Sequence, residues 1–333
     1  MKKRKWIVTG LLVLAAVVPA AAYLILPVRF YPGDPADAKI IYDDIEAFAK
    51  AHELGRANDF AADIYAIHYF DRASDPVESL VRQLEISAGS TAAHAREYPA
   101  TYDAIVSRLA AIKAVEPSVR DAYEKLEAAY PDAVYPPVYL AFSGFRARGL
   151  IRPYGIITGG EYFIGGTSDA SSPGWFDGRK LIVQPELLPG QLIHELAHIQ
   201  QARNSPLSFV DTGSVLNWTL FEGAADYVAN TITGTHTNAA SHAFLEAKGD
   251  PLWCAFYDSL DASRRTHWMD AAVFGAPPGG FAASFGYEIV AAYVENHPDK
   301  TKALVDLIEL RDYQVIYENS GYRQRLETLC GNR

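Results

Sequence analysis

The stretch Gly190–Gln201, "GQLIHELAHIQQ", holds His194, Glu195 and His198 in an HExxH spacing. Leu192, Ile193, Leu196, Ala197 and Ile199 surround them, so the segment reads as a helix that is apolar on nearly every side and therefore buried. On a helix, residues four apart share a face, which directs both imidazoles at one point. Glu195 is offset by about 100° and can hold a water beside whatever the imidazoles bind. Two neutral nitrogens suit zinc, and a neighbouring carboxylate suits a base for water that the cation has acidified. With 9 histidines in 333 residues, chance produces HExxH in about one such chain in a hundred. Burying two imidazoles and a carboxylate without partners costs roughly several kcal/mol, a penalty that a metal removes. The spacing predicts Zn2+, provided the chain supplies a third ligand.

That ligand is predicted in "NWTLFEGAADYVANTI", residues 217–232. Glu222 stands in a second apolar helical pattern with Leu220, Phe221, Ala224, Ala225 and Val228, where a carboxylate needs a compensating cation. Asp226, one turn on, occupies the same face and can accept the free ring N–H of a zinc-bound histidine, fixing its tautomer. In isolation, Glu222 and Asp226 would read as a solvated helix edge. Beside HExxH they read as a ligand and its support.

The arrangement resembles the gluzincins, the thermolysin-type peptidases in which an ExxxD on a second helix follows HExxH. More closely, "HELAHIQQ" with "FEGAADYVA" resembles bacterial predicted zinc-dependent proteases carrying HExxHxxQ and EGxADY, a group that includes lipoproteins associated with gliding motility. "FGYEIVAAYV", from Phe285, is similar to a GY-containing helix of that group. The likeness spans roughly residues 130–330 and is specific only in the two motifs. It implies a zincin-like core, with His194, His198 and Glu222 as ligands and Glu195 as base. No cysteine follows the N-terminal apolar run, so lipid anchoring does not carry over.

Other positions carry less. Tyr287 is a candidate donor to a developing oxyanion, with Tyr227 and His242 as rivals and a structural role as the plainer alternative. Gln201 matches the last position of HExxHxxQ, though a helix-end cap is the plainer role. "FGAPPGGFAASFG", residues 274–286, reads as a lid or as a surface connection. Asn217–Thr219 matches a glycosylation acceptor inside an apolar helix, where a glycan does not fit.

Composition sets the frame. The chain is 49% hydrophobic and 21% charged, enough for a sizeable core. Apart from Lys2, Lys3, Arg4 and Lys5, it carries 26 basic against 40 acidic side chains, which excludes nucleic acid as a partner. Those four cations precede an apolar run to Val28, long enough to remain as a membrane anchor with the body outside the cytoplasm. A signal peptide cleaved at Ala20–Ala22 is the rival. Cys254 and Cys330 read equally as a disulfide or as two buried thiols.

The expected organisation is an anchor or signal over 1–28, a linker over 29–35, a helical layer over 36–130 and a zincin-like core over 131–333. Helical periodicity, as in Ile41, Ile45, Phe48 and Ala49, marks the layer. Short β-branched runs in "VYPPVYLAFSGF", "PYGIITGGEYFIGG" and "GRKLIVQPELL" mark a small sheet before the HExxH helix, so the fold class is α+β and mostly helical. "KLIVQ" is the expected edge strand for a peptide or protein substrate. The function expected is a membrane-tethered zinc metallopeptidase. The alternative is a catalytically silent zinc-containing binding or scaffold protein of the envelope.

Overall fold

The computed structural model describes residues 31–165, 182–206, 211–263 and 281–331. They form the mostly helical α+β fold expected. Strand β1, Ile40–Ile41, comes first. Helices α1 (Asp43–Ala57), α2 (Ala62–His68), α3 (Asp75–Gln83), α4 (Ala88–Glu97), α5 (Pro99–Ala114) and α6 (Glu116–Ala129) follow. Then come β2 (Val138–Ala141), β3 (Gly149–Arg152) and β4 (Gly155–Gly159). The C-terminal part contains α7 (Leu188–Asn204), α8 (Val215–Thr233), α9 (Ala239–Lys248), α10 (Asp250–Tyr257), α11 (Phe281–Asn296), α12 (Lys300–Glu309), α13 (Tyr313–Asn319) and α14 (Tyr322–Cys330).

The sheet order is β1-β2-β4-β3, with β3 the only antiparallel strand. β4 is buried along its length, whereas β3 is a half-buried edge. A two-residue turn, Pro153–Tyr154, joins β3 to β4, and Arg152 pairs with Gly155. Gly155 has φ 143°, and a Cβ there would lie 2.2 Å from the Pro137 carbonyl oxygen, so only glycine fits.

The connection from β2 to β3 is pinned by Glu161. Its Oε1 accepts from the Ser143 amide (2.8 Å), the Ser143 hydroxyl (2.5 Å) and the Phe145 amide (3.0 Å). Gly144 and Phe145 are both left-handed there, at φ 66° and 57°. Three donors on one oxygen offset the strain of a non-glycine residue in that region.

The N-terminal helices and the sheet share one continuous core. Phe48 of α1 stacks on Phe142 beyond β2 at 3.8 Å between ring centroids and meets Tyr69 edge-on at 5.2 Å. Several expectations shift. Ile41 belongs to a strand, because Ile40–Ile41 pairs in parallel with Val138–Tyr139, so sheet pairing overrides the helical spacing. Just before α3, the Ser74 amide and hydroxyl both donate to Asp44 of α1. Of "KLIVQ", Ile182–Gln184 is irregular, and Lys180 and Leu181 lie outside the described residues. Val183 does exchange backbone hydrogen bonds with Tyr162 and Gly165, which holds it beside the sheet without extending the ladder.

Phe281–Gly286 is already helix rather than loop, while 274–280 lies outside the described residues. The 1–28 segment lies outside them too. Among the described residues no helix is long and apolar enough to cross a membrane. Cys254 and Cys330 are joined, with Cα atoms 5.4 Å apart, tying α10 to α14.

Candidate metal centre

Helix α7 is buried from Leu188 to Ala202. It packs against α6, α8, α12 and β3, which explains an HExxH segment apolar on nearly all sides. Its first turn carries Pro189, whose missing N–H costs nothing there. Helix α8 begins at Ser214, whose side chain accepts from the Asn217 amide, and ends at Gly234 in the left-handed region.

The two helices bring three groups together. His194 Nε2 and His198 Nε2 are 3.1 Å apart, and Glu222 Oε2 lies 3.4 Å from the first and 3.8 Å from the second. One ligand atom from each of these residues falls within 4.8 Å of the others. Each imidazole is held from behind. His194 Nδ1 donates to Asp226 at 2.8 Å, and His198 Nδ1 donates to Gln201 at 2.8 Å. With both Nδ1 atoms acting as donors, both Nε2 lone pairs aim at the same point. Asp226 also accepts from Thr237 (3.2 Å) and Asn238 (2.5 Å), and Phe221 stacks on His198 at 4.0 Å.

The electrostatics fit a cation. Burial works against charge on His194, but the hydrogen bonds and charges of Asp226 and Glu222 outweigh it and push its pKa well up. Burial would raise Glu222 and Asp226, yet the histidines hold Glu222, and His194 holds Asp226, below the usual carboxylate range. The cluster is tuned to hold positive charge among its Nε2 atoms, and its donor set, two imidazoles and a carboxylate, suits zinc.

Glu195 is not one of the three converging groups. Its Oε1 accepts from Gln191 at 2.8 Å and presses against β3, where a Cβ on Gly149 would lie only 2.1 Å away. The Glu222 side chain retains 21% exposure, so the centre opens to one side.

A family model described as gliding motility protein GldB matches residues 65–324. The chain belongs to that family. Its members are lipoproteins, which agrees with an envelope-associated protein. No curated protein and no solved structure matches the chain.

In this GldB-family chain the glycines of the two later motifs have a common explanation. Helices α8 and α11 cross at Gly223 and Gly286. A Cβ on Gly223 would lie 2.2 Å from the Gly286 carbonyl carbon, and one on Gly286 would lie 1.8 Å from the Thr219 carbonyl oxygen. Tyr287 therefore falls inside α11, its ring 5.4 Å from Tyr227, 4.7 Å from His236 and 4.5 Å from His242. Burial, then Tyr227, Glu288 and Asp226, push its pKa up. Among the described residues its hydroxyl makes no hydrogen bond to a ligand. His242 Nδ1 lies 3.4 Å from Glu288, and His242 does not join the metal-binding triad.

Sequence reasoning missed Gly149, Gln191 and Arg148 because it missed β3. The signal was present in "GLIRPYGIIT", two short apolar runs around a Pro-containing two-residue turn. Gln201 was undervalued. Its side chain orients His198 and does not cap the helix.

Proposed function

We propose that this protein is an envelope-associated zinc metallopeptidase, with His194, His198 and Glu222 as ligands and Glu195 as the base. The observation that carries the reading is the pair of Nε2 atoms 3.1 Å apart, both turned inward by Nδ1 donors. With both rings neutral, two lone pairs in that position repel, and a proton on His194 or a metal cation shared with Glu222 removes the conflict. When bound, zinc supplies Lewis acidity and a water of lowered pKa. Glu195, held by Gln191 and lying against Gly149, would accept a proton from the attacking water at its carboxylate and pass it to the leaving amine.

Strand β3 supports a peptide as substrate. It is an edge of the sheet, it touches Glu195 through Gly149, and its outer backbone groups can pair with an extended chain. It takes the role expected of "KLIVQ". Among the described residues only three ligand side chains converge, and structural zinc sites normally have four. That favours catalysis over a silent scaffold. Tyr287, its hydroxyl unclaimed among the described residues, is the donor candidate for the developing oxyanion. Residues 1–28 anchor the chain with its body outside the cytoplasm. Both cysteines lie in the disulfide, so neither carries a lipid.

The test is metal analysis together with the Glu195→Gln variant. The expected result is about one zinc per chain in both forms, with peptide-library cleavage falling by roughly a thousandfold in the variant. A wild type no faster than Glu195→Gln overturns the peptidase reading, and absence of stoichiometric metal overturns the zinc site as well.

A further inference from the structure

Arg148 stands immediately before β3, next to the glycine that touches Glu195. Its backbone is fixed, since its carbonyl accepts from the Gly159 amide at 3.1 Å. Its side chain is half-buried and, among the described residues, makes neither an ion pair nor a hydrogen bond. Asp226, Glu195, Tyr162 and Glu222 all lie within electrostatic reach of the guanidinium. None of the three carboxylates is its partner. Glu195 is bonded to Gln191, Asp226 to His194, Thr237 and Asn238, and Glu222 faces the histidines.

A guanidinium has five N–H donors, and at half-buried Arg148 the described residues leave them to water or to a ligand. The other arginines among the described residues are satisfied or exposed. Arg120 donates to Ala38 and Glu116, and Arg146 and Arg203 donate to backbone carbonyls. Donors held beside a site and left unclaimed by the described residues favour a ligand that can accept from them. The acceptor that matches a planar fork is a carboxylate.

Strand direction says which carboxylate. Arg148 is at the N-terminal end of β3, so a peptide laid antiparallel along the open edge brings its C-terminal end to Arg148. The same end passes Gly149 and therefore Glu195.

We propose that Arg148 binds a carboxylate of the peptide close to the bond that is cut, and that this carboxylate is the free C-terminus. The site then removes residues from a C-terminal end. The inference rests on the metallopeptidase reading above, and its test uses binding so that the two can fail separately. The zinc-loaded Glu195→Gln protein is titrated with three N-terminally labelled peptides of one sequence. One is the free acid, one the C-terminal amide, and one the amide with aspartate as its last residue. The free acid is expected to bind at least about tenfold tighter than the plain amide. In the Arg148→Ala background that preference disappears, and in Arg148→Lys, which keeps the charge and the packing stem, part of it remains. An aspartyl amide as weak as the plain amide assigns the α-carboxylate, and one as tight as the free acid moves the recognition to a side chain and overturns the C-terminal assignment. Acid and amide binding equally, or a preference that persists in Arg148→Ala, overturns the role of Arg148 alone. If none of the three peptides binds, the inference and the peptidase reading fall together.

Discussion

Gln201 shows how much of this site lies behind the ligands. Its carbonyl oxygen fixes the His198 tautomer, as Asp226 fixes that of His194. Removing such a partner typically lowers metal affinity 10- to 100-fold. Gln201→Leu is expected to fall in that range by competition with a zinc chelator, and an unchanged affinity would assign Gln201 to packing alone. Glu161 offers a second test at this scale. It is fully buried, Oε2 has no partner, and burial pushes its pKa up to about 7 against the ordinary 4.5, despite the donors on Oε1. The sign follows from proton counts. Between about pH 4.5 and 7 the folded state keeps a proton that the unfolded state has released, so this residue's contribution to stability is full below that window and lost as pH rises through it. Glu161→Gln is expected to flatten the dependence, raising stability at pH 8 relative to wild type by up to about 3 kcal/mol and leaving pH 4 nearly unchanged. Denaturant melts at the two pH values measure it, and parallel curves for the two proteins would refute it.

At the scale of elements, the crossing of α8 and α11 sets where the third ligand stands. Glu222 directly precedes Gly223, and Gly223 meets Gly286 backbone to backbone. Gly286→Ala drives a methyl into the Thr219 carbonyl, so the helices must separate. The expected cost is about 2–3 kcal/mol, accompanied by weaker zinc binding because Glu222 moves with its helix. Thermal melts with and without zinc check both, and a stable variant with unaltered affinity would show that the crossing does not position the ligand. This crossing also marks the limit of what the sequence let one read. HExxH and the Glu222–Asp226 pair follow from helical spacing, so the two helices and the convergence of their side chains were legible. The partner of Gly223 was not, because it lies 63 residues further along the chain and a glycine carries no periodicity. Strand β3 had a turn signal but only four residues of pattern, and its meaning comes from lying against Glu195, which no local pattern carries. Ile41 misled because its spacing matched a helix face while its pairing partner, Tyr139, was far away.

For the whole molecule, the Cys254–Cys330 bridge closes a segment with a sequence separation of 76 that contains α11 and hence Tyr287. The sequence left pairing and free thiols equally open, since spacing carries no information on distance in the fold. Loop-closure entropy for a segment of that size is worth about 4 kcal/mol. Replacing both cysteines by serine is therefore expected to lower the denaturant midpoint by a corresponding amount, while zinc content stays the same because no ligand is attached to either helix. An unchanged midpoint would mean that the bridge adds nothing to the folded state.

Among the described residues no strand pairs with the outer edge of β3, and such an edge also invites other chains of the same kind. Strand β3 is only four residues long and is bracketed by Arg148 and Arg152. Two copies meeting antiparallel along this edge would set Arg148 of one opposite Arg152 of the other, like charge against like, at both ends of the pairing. A chain that brings a carboxylate meets no such repulsion. The same pair of arginines can therefore keep the edge from self-association while leaving it open to a guest, so that solubility and selectivity draw on one arrangement of charge.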